Sequence, residues 1–237
     1  LGGARPKSSV IDTENNLWIA KFPSINDTKN MGAWEMAANK LAVNSGINVA
    51  EGKITQFNNA YHTYLSKRFD RNEKSQRIHF ASAMTMLGYN DGDGHDTGAS
   101  YLDIAEFLIK NGSDSNEDLK ELWRRIVFNI CIKNTDDHLR NHGFLLSEKG
   151  WKLSPAYDMN PNEFGTGLHL NISETDNALD LNLALSVAEH FRVKEAEAKM
   201  ILGKVIDATS KWRETAQKLG LSRNEIESMK RAFELVS

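Results

Sequence analysis

Cysteine is nearly missing from this chain: Cys131 is the only one among 237 residues. No internal disulfide can form, and the position of Cys131 inside the apolar run IVFNICI marks it as a small buried hydrophobe. A reducing cytosol is the compartment that fits. Long apolar runs are also missing. None approaches the ~18 residues needed to cross a bilayer, and the opening LGGARPKSSV has the build of neither a signal nor a transit peptide. Membrane insertion is not expected. There is no excess of positive charge, since the formal net charge is −3, so direct binding to nucleic acid is not expected either. Internal repeats and low-complexity tracts are absent. The chain opens with Leu1 rather than Met, inside a glycine-rich turn, so further residues upstream are expected. What is present is an ordinary globular composition, 40 % hydrophobic and 26 % charged. The length allows one large domain or two lobes sharing a cleft.

The hydrophobic pattern changes along the chain. Short β-rich runs (SSVI, LWIAKF, GKITQF, YHTYLSKRF) are separated by Asn, Asp and Gly, with a hairpin turn expected at Asn58-Asn59-Ala60. One helix interrupts them: Trp34, Met36, Ala37, Leu41 and Val43 are spaced for a helical face, and Gly46 stands at its stop. Residues 88–100 read as a surface loop rich in glycine and aspartate. The clearest helix runs from Ser115 to Ile132, with Leu119, Leu122, Trp123, Ile126, Val127 and Ile130 on one face and Ser115 with Asp118 as a capping box. Two strands (GFLLS and WKLSPAY) follow around Glu148-Lys149-Gly150. From about Ala178 the chain reads as helical, with Ser222 and Glu225 marking a late helix start. The expectation is an α+β, two-lobed fold: a β-rich lobe over residues 1–70 and a mainly helical lobe over 71–237.

The chemistry concentrates in NTDDHLRN at 134–141 and SPAYDMNP at 154–161. Phosphoryl transfer needs a carboxylate near the attacking hydroxyl and oxygen donors for magnesium, and kinases place an Asp five residues before an Asn for this purpose. Asp136 and Asn141 have that spacing, and Asp158 follows a strand-turn-strand, where kinases place a metal-binding Asp. Magnesium prefers hard oxygen ligands, which Asn141 and Asp158 supply. Each residue alone reads more simply as turn chemistry; their order and spacing together point to Mg-ATP. His138 reads as a supporting hydrogen-bond partner within the loop. Lys21 ends a strand whose alternation turns it toward a cleft, where its ammonium can meet phosphate. Glu35 on the next helix is the carboxylate to hold it, with a solvated helix glutamate as a reading of nearly equal weight. Lys7 and the preceding glycines can approach an anion, with a plain turn as the alternative, and the missing second glycine of a Walker A loop disfavours a P-loop NTPase.

These stretches (GGARPK at 2–7, AKFP at 20–23, EMAANKLA from 35, KRFDR at 67–71, NTDDHLRN and LSPAYDMNP) resemble the kinase region of HipA-type toxins over nearly the whole chain. The resemblance implies that Asp136 is catalytic, that Asn141 and Asp158 bind Mg, and that Lys21 touches ATP phosphate. It also implies that Lys67 and Phe69 at an interlobe hinge meet adenine through their backbone, with Lys67 standing where an acidic residue is common. A serine or threonine of another protein would be the acceptor, with aminoacyl-tRNA synthetases as the implied class and a DNA-binding antitoxin as partner. A regulatory serine of such proteins would lie ahead of Leu1. Two other readings stay open at this stage: a small-molecule kinase of the aminoglycoside type, and an inactive nucleotide-binding module acting through an antitoxin.

Overall fold

The computed structural model describes residues 5–57, 60–72 and 74–236. Strands β1 (Lys7–Ile11) and β2 (Leu17–Lys21) form an antiparallel pair with Lys7 opposite Lys21. In β2, Trp18 and Ala20 are buried on one face, which turns Ile19 and Lys21 to the other. Helix α1 (Met31–Asn44) follows, started by the Asn30 side chain accepting the Ala33 N–H at 3.2 Å. It stops where Gly46 takes φ +82°, a conformation that favours glycine. Strands β3 (Gly52–Thr55) and β4 (Thr63–Lys67) complete a four-stranded antiparallel sheet in the order β1-β2-β4-β3.

A short strand β5 (Phe80–Ser82), which the sequence patterning did not suggest, leads into α2 (Ala83–Leu87). Helix α3 (Tyr101–Asn111) is started by a capping box between Ser100 and Asp103. Helix α4 (Ser115–Cys131) has all six residues of the expected face fully buried, and Cys131 with them. Burial pushes the Cys131 thiol up to about 12, so it is inert. Strands β6 (Gly143–Ser147) and β7 (Gly150–Leu153) join β5 in a second sheet, ordered β5-β6-β7. Residues 154–180 are irregular, and from Leu181 the chain is mostly helical: α5 (Leu181–Ser186), a 3-10 turn at Ala188–Phe191, α6 (Glu195–Ser210), α7 (Trp212–Lys218), α8 (Arg223–Ser228) and a closing 3-10 segment, Met229–Val236. The mixed α+β class is as expected. The capping box of Ser222 with Glu225 is present.

Four local expectations are corrected. The box at Ser115 does not form: Asp114 occupies the cap position, the Ser115 hydroxyl donates to the Leu108 carbonyl at 2.7 Å, and Asp118 accepts the buried Leu153 N–H at 3.0 Å. Tertiary partners outcompete the local ones there. Val43 is 53 % exposed rather than part of the buried face of α1. The strand expected through WKLSPAY ends at Leu153, beyond which Ala156 bridges in parallel to Val49. Residues 88–100 include a 3-10 turn at His95–Thr97, and Ala99 and Ser100 are buried. The turn expected at Asn58-Asn59 and the glycines at 2 and 3 lie outside the described residues. A single hydrophobic core runs from α1 through α3 and α4 to the closing 3-10 segment. No helix among the described residues is long and apolar enough to cross a membrane.

Candidate active site

The loop after α4 is shaped by its own backbone. Lys133 adopts φ +48°, which breaks the helix, and the Asn134 N–H donates to the Asn129 carbonyl at 2.8 Å. The His138 N–H then donates to the Asp136 carbonyl (3.0 Å) and the Asn141 N–H to the His138 carbonyl (2.8 Å). The Asn141 amide nitrogen also donates to the Asp136 carbonyl, at 3.1 Å. Its amide oxygen is therefore turned away from that contact and left for a ligand. Asp136 is exposed, and none of the described residues donates a hydrogen bond to its carboxylate. This is the state in which a carboxylate can accept an incoming hydroxyl.

The second loop carries Asp158 at φ +59°, a strained conformation for a residue with a Cβ. Neighbouring contacts hold it there: the Asn160 N–H donates to the Asn134 side-chain oxygen at 3.2 Å, Asn162 donates to the Thr135 hydroxyl at 2.8 Å, and the Tyr157 hydroxyl donates to the Arg140 carbonyl at 2.7 Å. The two loops are thus laced together. Lys21 reaches them from the sheet and donates to Glu35 Oε1 at 2.5 Å and to Asp158 Oδ1 at 2.6 Å. Burial pushes the Lys21 ammonium down, but Glu35 and Asp158 overcome this and hold it above its ordinary value. Glu35 is fully buried, and burial pushes it up to about 7 against the pull of Lys21. Burial also pushes Asp158 up, yet Lys21, Lys7 and His138 hold it below the usual carboxylate range. At neutral pH, Asp158 is the firmly charged partner of the lysine.

A cavity of about 810 Å³ lies between the sheet and these loops. Lys7, Lys21, Glu35, Lys67 and Phe69 line it from the sheet side, and Asp136, His138, Asn141 and Asp158 line it from the loops. These nine candidate residues therefore share one space. Lys67 pairs its ammonium with Glu51 at 3.1 Å, and its N–H donates to the Glu51 carbonyl at 2.8 Å. Phe69 packs against Tyr157, with ring centroids 5.5 Å apart. The His138 Nδ1 is buried without a hydrogen-bond partner among the described residues. No cluster of three or more His, Cys, Asp or Glu side chains able to hold a metal occurs among the described residues. A cation here would depend on a carboxylate, an amide oxygen and oxygens brought by its ligand.

The family model of the HipA-like C-terminal domain matches residues 1–232. This chain belongs to that family. Among curated proteins, the HipA-like chain is 25 % identical over 176 residues to a Haemophilus influenzae protein that carries a kinase name, covering 67 % of this chain and 51 % of that protein. It is also 25 % identical over 147 residues to the kinase-named protein Y4mE of Sinorhizobium fredii, covering 60 % and 33 %. The HipA-like chain therefore spans about half or less of these relatives' lengths. Among solved structures, it resembles HipA in a complex of the Shewanella oneidensis toxin-antitoxin system with HipB and operator DNA. The TM-score is 0.76 at 17 % identity, covering all of this chain and 63 % of that one. It also resembles the Helicobacter pylori proinflammatory kinase CtkA, with a TM-score of 0.65 at 13 % identity, over 100 % and 91 %. The fold is shared with both.

Sequence reasoning on this HipA-like domain missed the support beneath the loop. Asp137 is buried, and its Oδ2 accepts from the Tyr101 hydroxyl (2.6 Å), the Asn129 amide (2.7 Å) and the His142 ring (2.8 Å). Burial pushes Asp137 up, and His142 with these hydrogen bonds overcomes it and holds the carboxyl below its usual range. The chain neighbour of Asp136 is thereby anchored to α3 and α4. Sequence offered one hint, the acidic doublet itself, but Tyr101 and Asn129 lie too far away along the chain to be read as its partners.

Proposed function

We propose that this chain transfers the γ-phosphoryl group of ATP to a serine or threonine hydroxyl of another protein. One observation carries the reading: Asp136, Asn141, Asp158 and Lys21 converge on a single cavity of about 810 Å³, large enough for a nucleotide. Residues 1–70 supply the nucleotide-holding lobe and residues 71–237 the catalytic one. In this scheme Asp136 orients the acceptor hydroxyl and takes its proton as the oxygen bonds to the γ-phosphorus and the bond to the β-phosphate oxygen breaks. Lys21, held by Glu35, meets phosphate oxygens, with Lys7 adding positive charge nearby. Adenine lies at the end of β4. Because the Lys67 N–H is already engaged, a base contact at Lys67 falls to its carbonyl, with the Phe69 backbone beside it. His138 supports the loop from its place in the cavity.

The donors suit magnesium: Asp158 and the amide oxygen of Asn141 are hard oxygen ligands, too few to hold a metal alone but enough when phosphates supply the rest. When bound, magnesium offsets the negative charge of the phosphates. By likeness to the HipA structure with HipB and operator DNA, a DNA-binding antitoxin is the proposed partner and a cytoplasmic toxin-antitoxin role the setting, with aminoacyl-tRNA synthetases the candidate acceptors.

Labelled ATP, magnesium and a cell lysate test this. The wild type should label a protein at Ser or Thr, and Asp136→Ala should lose at least ~100-fold of the rate, the scale of a lost general base, while nucleotide affinity stays the same. Undiminished labelling by Asp136→Ala would remove Asp136 from the mechanism.

A further inference from the structure

Beneath the two loops runs a chain of asparagine amides that no step of the proposed transfer uses. Lys21 is not the only group on Asp158 Oδ1: the Asn160 side-chain amide donates to the same oxygen at 3.2 Å. The Asn160 N–H donates to Asn134 Oδ1 at 3.2 Å, Asn134 Nδ2 donates to Asn129 Oδ1 at 3.0 Å, and Asn129 Nδ2 donates to Asp137 Oδ2 at 2.7 Å. Asn134, Asn129 and Asp137 are all buried. One end of the chain thus lies on the carboxylate proposed to hold metal. The other lies on the sequence neighbour of Asp136, the carboxylate proposed to take the proton.

The polarity of this chain is fixed at both ends. A backbone N–H can only donate, and an ionised carboxylate can only accept. Asp137 is such an acceptor, because burial pushes its carboxyl up but His142 and the hydrogen bonds it receives outweigh that. Each amide between the two ends is therefore satisfied in one orientation only, accepting on the side of Asn160 and donating on the side of Asp137. Turning either amide over would set like against like in a buried place, where an unmade hydrogen bond is costly. Closing the end of α4 does not call for these bonds, since the Asn134 N–H already does so through the Asn129 carbonyl at 2.8 Å. The side chains are left to span from one loop to the other. Asp158 sits at φ +59°, a conformation that persists only where its surroundings hold it.

We propose that Asn134 is the positioning residue of the site: through Asn160 on one side, and Asn129 with Asp137 on the other, it sets the Asp158 carboxylate relative to that of Asp136. Asn134 does not line the cavity, so it acts through these neighbours and not on a ligand. Transfer needs the acceptor hydroxyl at Asp136 and the phosphoryl group held near Asp158 to meet at one separation. Slack of about an ångström between the loops therefore costs rate more than affinity. The proposal rests on the kinase reading above and names the residue that aligns its two halves.

Labelled ATP, magnesium and a degenerate Ser/Thr peptide library test it, with kinetics on the best peptide. Asn134→Ala removes both links of that side chain, and Asn160→Ala removes the link to Asp158 at a half-buried position where folding is less at stake. In each, kcat should fall about 10- to 100-fold, the scale of a misplaced reacting group, while ATP affinity stays within about twofold of wild type. A residue that only stabilises the fold would lower Tm and leave the kcat of the folded enzyme unchanged. The double variant should be no slower than the slower single one, because a chain already cut loses nothing by a second cut. Three results overturn the proposal and leave the kinase reading standing: wild-type kcat in a folded Asn134→Ala, a loss of ATP affinity as large as the loss of kcat, or losses that multiply in the double variant. Should Asn134→Ala not fold, wild-type kcat in Asn160→Ala overturns the proposal, and a lowered kcat with ATP affinity kept supports it. A wild type that binds ATP yet labels neither peptides nor small hydroxyl compounds overturns the kinase reading and the alignment together.

Discussion

Lys21 holds two carboxylates whose environments push them in opposite directions. Glu35 is enclosed between α1 and the sheet, and its folded value of about 7 lies above the 4.5 of a free glutamate. Between those limits the native state keeps a proton that the unfolded chain has released, so stability falls as pH rises from 4.5 to about 7. Acting alone, this group would contribute on the order of 3 kcal/mol to that fall. Asp118, pushed up to about 6 by burial, acts in the same direction over a shorter window. Asp137 and Asp158 act oppositely: their stabilisation is present above the ordinary aspartate value and is lost as pH falls through their depressed folded values. Urea unfolding at a series of pH values should show the slope between 4.5 and 7, and Glu35→Gln should flatten most of it. A variant with the wild-type slope would show that Glu35 ionises normally.

Among the elements, α1 decides most. It carries Glu35 toward the cavity on one side, and on the other Trp34 packs against Trp212 and Phe233, with ring centroids 6.4 and 6.5 Å away. Those two rings stack at 4.5 Å. The helix that steadies Lys21 is thus bolted to α7 and the closing 3-10 segment, far along the chain. Trp34→Ala should cost about 3–5 kcal/mol, as for other large buried side chains, read from denaturant midpoints, and nucleotide affinity should fall with it because Glu35 is the next residue. A loss of stability with nucleotide affinity intact would mean that α1 does not set the position of Lys21. Helix α4 was legible because its six apolar positions all serve one core. The box at Ser115 was misread because its two members found better partners in Leu108 and Leu153, which no local pattern reveals.

For the whole molecule, ligand linkage gives the most direct test. A nucleotide that joins the sheet to both loops stabilises the native state by about 2.7 kcal/mol at a hundred times its Kd. Mg-ATP should therefore raise Tm by several degrees, and ATP without magnesium should raise it less. Asp158→Asn should erase the difference between the two, because it removes the one carboxylate among the proposed metal donors. If magnesium still added the full shift in that variant, the metal would have to be held elsewhere. As the chain covers only 51 % and 33 % of its curated relatives, such measurements report on this domain.

Most of the element order, though not β5, the face of α4 and the positions of the two polar loops were readable from the chain alone. Each depends on periodicity or spacing within a short window, where neighbours in sequence are neighbours in space. Only the tertiary structure decided that Lys21 bridges Glu35 and Asp158, that Asp137 rests on Tyr101, Asn129 and His142, and that Gly165 lies against Thr135. Those contacts join residues from separate elements, and burial rather than residue type sets which carboxylates there carry charge.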